Sequence, residues 1–262
     1  MLNVRAMIGT HDVFMITLDS LRFDVAEKAQ LPHLKKHFSA WEKRHSPASF
    51  TYAAHHAFFS GFLPTPARPG RHPRLFAARF QGSETTHPET FVFEEATLPE
   101  ALAARGYRTV CIGGVGFFNQ ETPLGQVLPG LFQESHWSRD MGVTRRHSTQ
   151  AQIRVALNVL REQPADQRLF LFLNLSATHR PTHIFHPELQ QDSAETQQAA
   201  LEQAENHLVE LLEAQDARGP ALVIITSDHG EAFGEEGFHG HRLGHEVVWT
   251  VPYAECVIGA GP

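Results

Sequence analysis

Three residues whose side chains can bind a metal stand at the ends of apolar runs. The run Val13 to Leu18 ends at Asp19, and the run Ala221 to Thr226 leads into Ser227, Asp228, His229 and Gly230. An apolar run closing on a polar residue is how a strand buried on both faces delivers a side chain to the edge of a sheet. Two carboxylates and an imidazole supply mixed oxygen and nitrogen donors. These suit zinc or manganese better than calcium, which prefers about six or more oxygens. Thr51 opens the segment Thr51 to Ser60, which reads as a short helix with Thr51 as a candidate N-cap. A threonine hydroxyl is a weak nucleophile near neutral pH, and a bound cation together with the positive end of a helix would activate it.

Histidine is in excess, at 18 of 262 residues, and it crowds the C-terminal window Phe238 to His245, which holds His239, His241 and His245. Imidazole is the commonest transition-metal ligand, so the excess points to a metal site without locating it. His179 follows the apolar run Leu169 to Leu175, with His183 and His186 close behind. His55 would share a helix face with Thr51, whereas a packed or solvated role is the ordinary expectation for His55 and His56 alike.

The elements that must position these residues alternate. Strands are expected at Val13–Leu18, Thr109–Ile112, Leu169–Leu175 and Ala221–Thr226. Helices are expected from Val25 to Phe38 with an interruption at Pro32, and at Thr51–Ser60, Leu98–Ala104, Thr149–Glu162 and Ala194–Ala217. Such alternation with right-handed crossovers gives an α/β fold, a mostly parallel central sheet with helices on both faces, in a single domain over residues 1–262. Ligands in such sheets sit beyond the strand C-termini, where Asp19, His179 and Asp228 fall. Gly61 to Ala96, rich in Pro, Gly, Arg and Thr, reads as a long surface loop, and Gly113 to Trp137 as a stretch that shapes a pocket. Gly113, Gly114 and Gly116 lack the spacing and the following helix of a dinucleotide loop.

A net charge of −7 argues against a nucleic-acid partner. No apolar stretch approaches the ~20 residues that cross a bilayer, and Met1 to Gly9 does not read as a leader, so no membrane is expected and a cytoplasmic location is. Cys111 and Cys256 support neither a disulfide framework nor a zinc knuckle.

Taken together, Leu18-Asp19-Ser20-Leu21-Arg22-Phe23-Asp24 and Ser227-Asp228-His229-Gly230-Glu231 resemble the N-terminal and C-terminal metal motifs of the alkaline phosphatase and sulfatase superfamily. Thr51, nine residues before Ser60-Gly61, matches the family's nucleophile position. Thr97-Leu98-Pro99 through Gly106-Tyr107-Arg108-Thr109, His179-Arg180-Pro181 and Val251-Pro252 extend the resemblance over nearly the whole chain. More narrowly, the chain is similar to compact sulfatase-like hydrolases from bacterial gene clusters that also encode radical SAM enzymes.

The resemblance implies a metal-dependent hydrolase of a phosphate-type ester, with Thr51 as nucleophile and one or two zinc or manganese ions held by Asp19, Thr51, Asp228 and His229. His241 and His245 are the implied further ligands, and His179, Arg22 and His239 the implied substrate contacts. The substrate would be a small-molecule, peptide-linked or lipid-linked ester. A phosphotransferase using an alcohol or amine acceptor shares the same first half-reaction, and a non-catalytic metal-binding partner protein is the alternative of a different class. Departures from the family bear on substrate and metal. The Cys-x-Pro-x-Arg of sulfatases is absent around Thr51, which argues against sulfate esters. Ser20 replaces a second carboxylate after Asp19, which argues further against calcium. The Asp-x-x-x-His of two-zinc phosphodiesterases is missing because Leu175 precedes His179 by four, so a second ion would draw on His179, His183, His241 and His245.

Overall fold

In a computed structural model, which describes residues 2–61 and 96–259, the centre is a seven-stranded sheet. Its strands are β1 (Asp12–Leu18), β2 (Glu42–His45), β3 (Arg108–Ile112), β4 (Glu134–His136), β5 (Leu169–Leu175), β6 (Ala221–Thr226) and β9 (Thr250–Ile258), while β7 (Ala232–Phe233) and β8 (His239–Gly240) pair separately. The helices are α1 (Val4–Met7), α2 (Phe23–Lys28), α3 (Thr51–Ser60), α4 (Leu98–Ala103), α5 (Pro123–Val127), α6 (Ser148–Glu162), α7 (Ala194–Arg218) and α8 (Glu246–Trp249). Strand order is β2-β9-β6-β1-β5-β3-β4. Among these, β9 alone runs against the rest, pairing antiparallel with β6 on one side and β2 on the other.

β1 occupies the middle of the sheet with β5 and β6 parallel on either side, and all seven of its residues are buried. Its side chains alternate as the pleat requires. Phe14, Ile16 and Leu18 enter a cluster that includes α2, α6 and α7 residues, and Val13 and Met15 enter the opposite one, with Phe59 of α3 and Leu102 of α4. Both faces are therefore covered by helices, which is why β1, β5 and β6 read as unbroken apolar runs. The aromatic cluster under α3 is dense: Phe172 lies 5.0 Å from Phe59 and 5.6 Å from Phe118 between ring centroids.

Two expected elements differ. The helix expected from Val25 to Phe38 is two pieces, α2 and a 3₁₀ turn at Leu34–Lys36, because the break extends from Ala29 to His33 around Pro32. Thr51 is the first residue inside α3, with Phe50 at the N-cap in extended conformation (φ −164°, ψ 156°). Its hydroxyl is therefore not spent on capping. The loop expected over Gly61 to Ala96 lies, apart from those two residues, outside the described residues. Among the described residues no helix is long and apolar enough to cross a membrane.

Candidate active site

Asp19 follows the last residue of β1, and Asp228 and His229 follow the end of β6. Thr17 and Thr226 are paired in register between these adjacent parallel strands, so the three side chains emerge together. The turn after β1 places Ser20 at φ +63°, which aims its backbone N–H at Asp228 Oδ1 (3.1 Å), and the Ser20 hydroxyl donates to Asp19 Oδ1 (3.0 Å). His229 N–H donates to Asp228 Oδ1 at 3.0 Å. The next residue must be glycine: a Cβ on Gly230 would stand 1.9 Å from the Val247 carbonyl oxygen.

Asp19, Asp228 and His229 are fully buried, and one donor atom from each lies within 4.8 Å of the others. Nδ1–H of His229 donates to the Gly230 carbonyl (2.8 Å), which leaves the Nε2 lone pair toward the cluster, the tautomer a metal ligand needs. Among the described residues Asp228 Oδ2 is buried without a hydrogen-bond donor, 3.4 Å from His229 Nε2. Burial and the neighbouring Asp19 push the Asp228 carboxyl well above the ordinary carboxylate range. Burial would also raise Asp19, but His179, His229 and the Asn174 hydrogen bond outweigh it and hold Asp19 below its ordinary value. A buried, donor-free carboxylate oxygen beside a second carboxylate and a neutral imidazole is an environment a divalent cation satisfies, so the donor set fits one.

Thr51 Oγ1 sits against this cluster, 3.3 Å from His229 Nε2 and 3.5 Å from Asp19 Oδ2. The ten-residue α3 begins at Thr51 with no side-chain cap, so the positive end of the helix faces the same point. One turn on, His55 braces Thr51 from behind. Its Nδ1–H donates to the Thr51 carbonyl (2.7 Å), its Nε2 meets Thr17 Oγ1 (3.1 Å), and burial pushes it down to about 4, so it is neutral. Asn174 ties the floor together, donating from Nδ2 to Asp19 Oδ2 (3.0 Å) and to Thr17 Oγ1 (3.2 Å).

Outside Thr51 opens a cavity of about 290 Å³, whose lining includes His179, His241 and Arg242. His241 donates from Nδ1 to the buried Glu231 carboxylate (2.6 Å), which also accepts from Arg180 (3.0 Å). The His241 ring lies 4.5 Å from that of His229 and 5.7 Å from that of His179. His241 thus lines the cavity beside the three donors, its own nitrogens not being among the set that lies within 4.8 Å of one another.

Other expected residues are placed elsewhere. His245 accepts from the Val247 N–H and caps α8, and its Nε2 is 4.0 Å from Glu236, so the structure does not bring it to the cluster as a ligand. His239 is exposed on β8 and does not line the cavity. Arg22 is buried, gripping Asp24 with two hydrogen bonds of 2.8 Å and also bound to Glu235, so its guanidinium is consumed in holding the loop after β6. His183 is bonded to Asp192 (2.8 Å) and His186 lies near Glu195 (3.7 Å). His56 packs on Tyr52 with ring centroids 4.4 Å apart. Asn174, Glu231 and Arg242 were not singled out from sequence. Asn174 alone had a signal, as the one polar residue in the apolar run of β5.

The sequence profile of the sulfatase family matches residues 12–253. No curated protein matches the sequence. Among solved structures, the C-terminal periplasmic domain of the phosphoethanolamine transferase EptC from Campylobacter jejuni is similar at 14% identity and a TM-score of 0.64, covering 94% of this chain and 79% of that one. The soluble domain of lipooligosaccharide phosphoethanolamine transferase A from Neisseria meningitidis matches at 14% identity and 0.63, covering 96% and 78%. The C-terminal periplasmic domain of EptC from Escherichia coli, in complex with zinc, matches at 15% and 0.59, covering 94% and 72%. At these identities the likeness is one of fold.

Proposed function

The chain belongs to the sulfatase family, and on that premise we propose that it cleaves a phosphate-type ester by in-line attack of the Thr51 hydroxyl, with a zinc or manganese ion held by Asp19, Asp228 and His229. The observation that carries this reading is the hydroxyl of Thr51, 3.3 Å from His229 Nε2, at the open side of a buried oxygen and nitrogen donor set. A divalent ion, when bound, supplies positive charge that favours the Thr51 alkoxide and offsets charge on the phosphoryl oxygens.

The chain's own residues supply the rest. Thr51 Oγ1 gives up its proton and forms a bond to phosphorus as the bond to the leaving oxygen breaks, that oxygen takes up a proton to depart as the alcohol, and water then hydrolyses the phosphothreonine to phosphate and the Thr51 hydroxyl. His55 and Phe50 hold the start of α3 so that the oxygen meets the phosphorus from a fixed direction. First-turn N–H groups of α3 and the His179 and His241 imidazoles offer donors for the phosphoryl oxygens, and Glu231 fixes the His241 ring.

An acceptor alcohol in place of water would make the same site a phosphotransferase, and the two neighbours described as phosphoethanolamine transferases favour keeping that reading open to test. The decisive experiment measures metal content by elemental analysis in wild type and Asp228→Ala, with turnover of nitrophenyl phosphate mono- and diesters on the same samples. Stoichiometric zinc or manganese that falls in the variant, with metal-dependent turnover, is the expected result. Absence of bound metal in wild type after reconstitution would sink the mechanism. Product analysis with and without alcohol or amine acceptors separates hydrolysis from transfer.

A further inference from the structure

Two buried glutamines stand on α7, Gln197 near its start and Gln215 near its end. Their spacing is about five full turns at ~3.6 residues per turn, so both project from the same face of the helix. Along the helix they are ~27 Å apart, and the stretch from Asp12 to Ser20 spans at most ~26 Å. The helix is thus matched in length to β1 and the turn that follows it. It runs in the opposite direction: Gln215 Nε2 donates to Asp12 Oδ2 (3.0 Å) at the start of β1, and Gln197 Nε2 donates to the Ser20 carbonyl (2.8 Å) past its end. Between the two grips, Leu201, Leu208, Leu211 and Leu212 of α7 join Phe14, Ile16 and Leu18 of β1 in one apolar cluster.

The Gln197 amide is used completely. Besides the Ser20 carbonyl, Nε2 donates to the Thr178 carbonyl (2.9 Å), and Oε1 accepts from the Arg22 N–H (3.3 Å). Two donors and an acceptor on one short side chain require a neutral amide, because lysine can only donate and an ionised glutamate only accept. The groups it joins belong to two turns, the one after β1 that carries Asp19 and the one after β5 that carries His179. These turns also meet directly, through the Thr178 hydroxyl donating to the Asp19 carbonyl (2.7 Å). Ser20 is the strained point of the pair, since its φ of +63° is unfavourable for a side chain other than glycine. That conformation is what sends its N–H to Asp228 Oδ1 and its hydroxyl to Asp19 Oδ1. The start of α7 holds the His179 loop again further on: the Thr196 and Thr182 hydroxyls are 2.7 Å apart, and Asp192, just before the helix, accepts from the Thr182 and His183 N–H groups (2.8 and 2.9 Å).

We infer that Gln197 is a positioning residue of the site: from α7 it holds Ser20 in its left-handed conformation and fixes the Asp19 turn against the His179 loop. The consequence rests on the reading of Asp19 and Asp228 as metal ligands, because Ser20 orients both carboxylates. Gln197 touches neither metal nor substrate and acts only through the two turns. Gln215 makes the corresponding grip at the other end of β1, where Asp12 serves the fold, so the two glutamines differ in what they hold rather than in how they hold it.

Gln197→Met keeps the length of the side chain and removes its hydrogen bonds, and Leu208→Ala, buried on the same helix, is the control for a loss of stability alone. Amide exchange is read first, on the metal-free full chain. In Gln197→Met the Ser20 and His179 amides should exchange at least about tenfold faster relative to Ile16, which is paired on both sides in β1, and in Leu208→Ala that ratio should stay within about threefold. Zinc affinity follows by chelator competition, at a temperature where each variant is folded. It should fall about tenfold or more in Gln197→Met and by less than about threefold in Leu208→Ala. Gln197→Glu, which cannot donate to the two carbonyls, should bind zinc no better than Gln197→Met. Ser20 and His179 amides that quicken no more than Ile16, zinc affinity that survives in Gln197→Met or Gln197→Glu, or a Gln197→Met chain that does not fold would each overturn the proposal, the last because the residue would then serve the fold as Gln215 does. The two arms keep this apart from the metal reading. A wild type that takes up no zinc retires the metal, and exchange on the metal-free chain still decides whether Gln197 holds the turns. Zinc uptake in wild type with neither readout altered in Gln197→Met retires Gln197 alone.

Discussion

β1 carries a buried aspartate at each end, and the two are treated in opposite ways. Asp12, at its start, is 1% exposed and surrounded by donors: Arg218 Nε at 3.1 Å, Gln215 Nε2 at 3.0 Å and the Leu169 N–H at 2.8 Å, with Arg168 at 3.8 Å. Asp19, just past its end, is equally buried, yet among the described residues no arginine or lysine reaches it. Its donors are the Asn174 amide and the Ser20 hydroxyl at 3.0 Å each, with Thr51 at 3.5 Å, and a second carboxylate stands beside it. A buried carboxylate pinned by cations is complete and serves the fold. A buried pair without cations is incomplete, and stability was not what placed it there.

The comparison is broken most forcefully at Thr51. Thr51→Ala should lower turnover of a responsive ester by about 10³-fold or more while metal content stays at the wild-type level, because the hydroxyl proposed to attack is lost and Asp19, Asp228 and His229 remain. Steady-state kinetics beside elemental analysis check both halves. At the other end of the strand the losses exchange places. Asp12→Ala leaves the Arg218 guanidinium without its carboxylate and should cost about 3–5 kcal/mol in denaturant unfolding, with metal stoichiometry unchanged. Metal loss in this variant, at a temperature where it stays folded, would show that the two ends are coupled. Between these in kind lies Asn174→Ala, which removes the amide that orients Asp19. It should weaken zinc affinity by roughly 10–100-fold in a chelator competition and leave unfolding of the metal-free chain much less affected than Asp12→Ala does.

The same contrast explains what could be read before the fold was known. β1, β5 and β6 are buried on both faces, so their sequences carry a continuous apolar signal, and the polar residue that ends β1 or follows β6 stands out against it. Asp19, Asp228 and His229 were visible for that reason, and Thr51 through its spacing. β2 gave no such signal because Glu-Lys-Arg-His forms an exposed edge strand, where charge discourages further pairing. The antiparallel β9 was hidden because Pro252 and Glu255 interrupt its apolar residues, and β4 because it spans three residues. The sequence motif shows Arg22 two residues from Asp24, but not that Glu235, beyond β6, takes the other side of its guanidinium. His239, His241 and His245 look interchangeable in sequence. What separates them is the turn that sends one to Glu231, one to the cap of α8 and one to the surface.

The smallest effect is the most specific to a pair of neighbouring buried carboxylates. In the metal-free protein, Asp228→Asn removes one of two neighbouring buried charges and should raise stability by on the order of 1 kcal/mol near neutral pH, although the same change abolishes tight metal binding. The pH dependence carries its own sign. Asp228 has its carboxyl raised in the folded chain, so its favourable contribution is complete below the ordinary value of 3.8 and is lost as pH rises through the raised value. Asp19, held low, adds stability above its ordinary value and gives it up only as pH falls below that value, so it does not act in the same window. Chemical denaturation of the chelator-treated wild type should therefore weaken with rising pH from 3.8 upward, and Asp228→Asn should lack that component. With zinc present the order inverts. Wild type gains stability with metal concentration, as any ligand that binds only the folded state requires, and Asp228→Asn gains little. If Asp228→Asn were instead less stable than wild type without metal, the carboxylate would be doing for the fold what Asp12 does, and the distinction between the two ends of β1 would be lost.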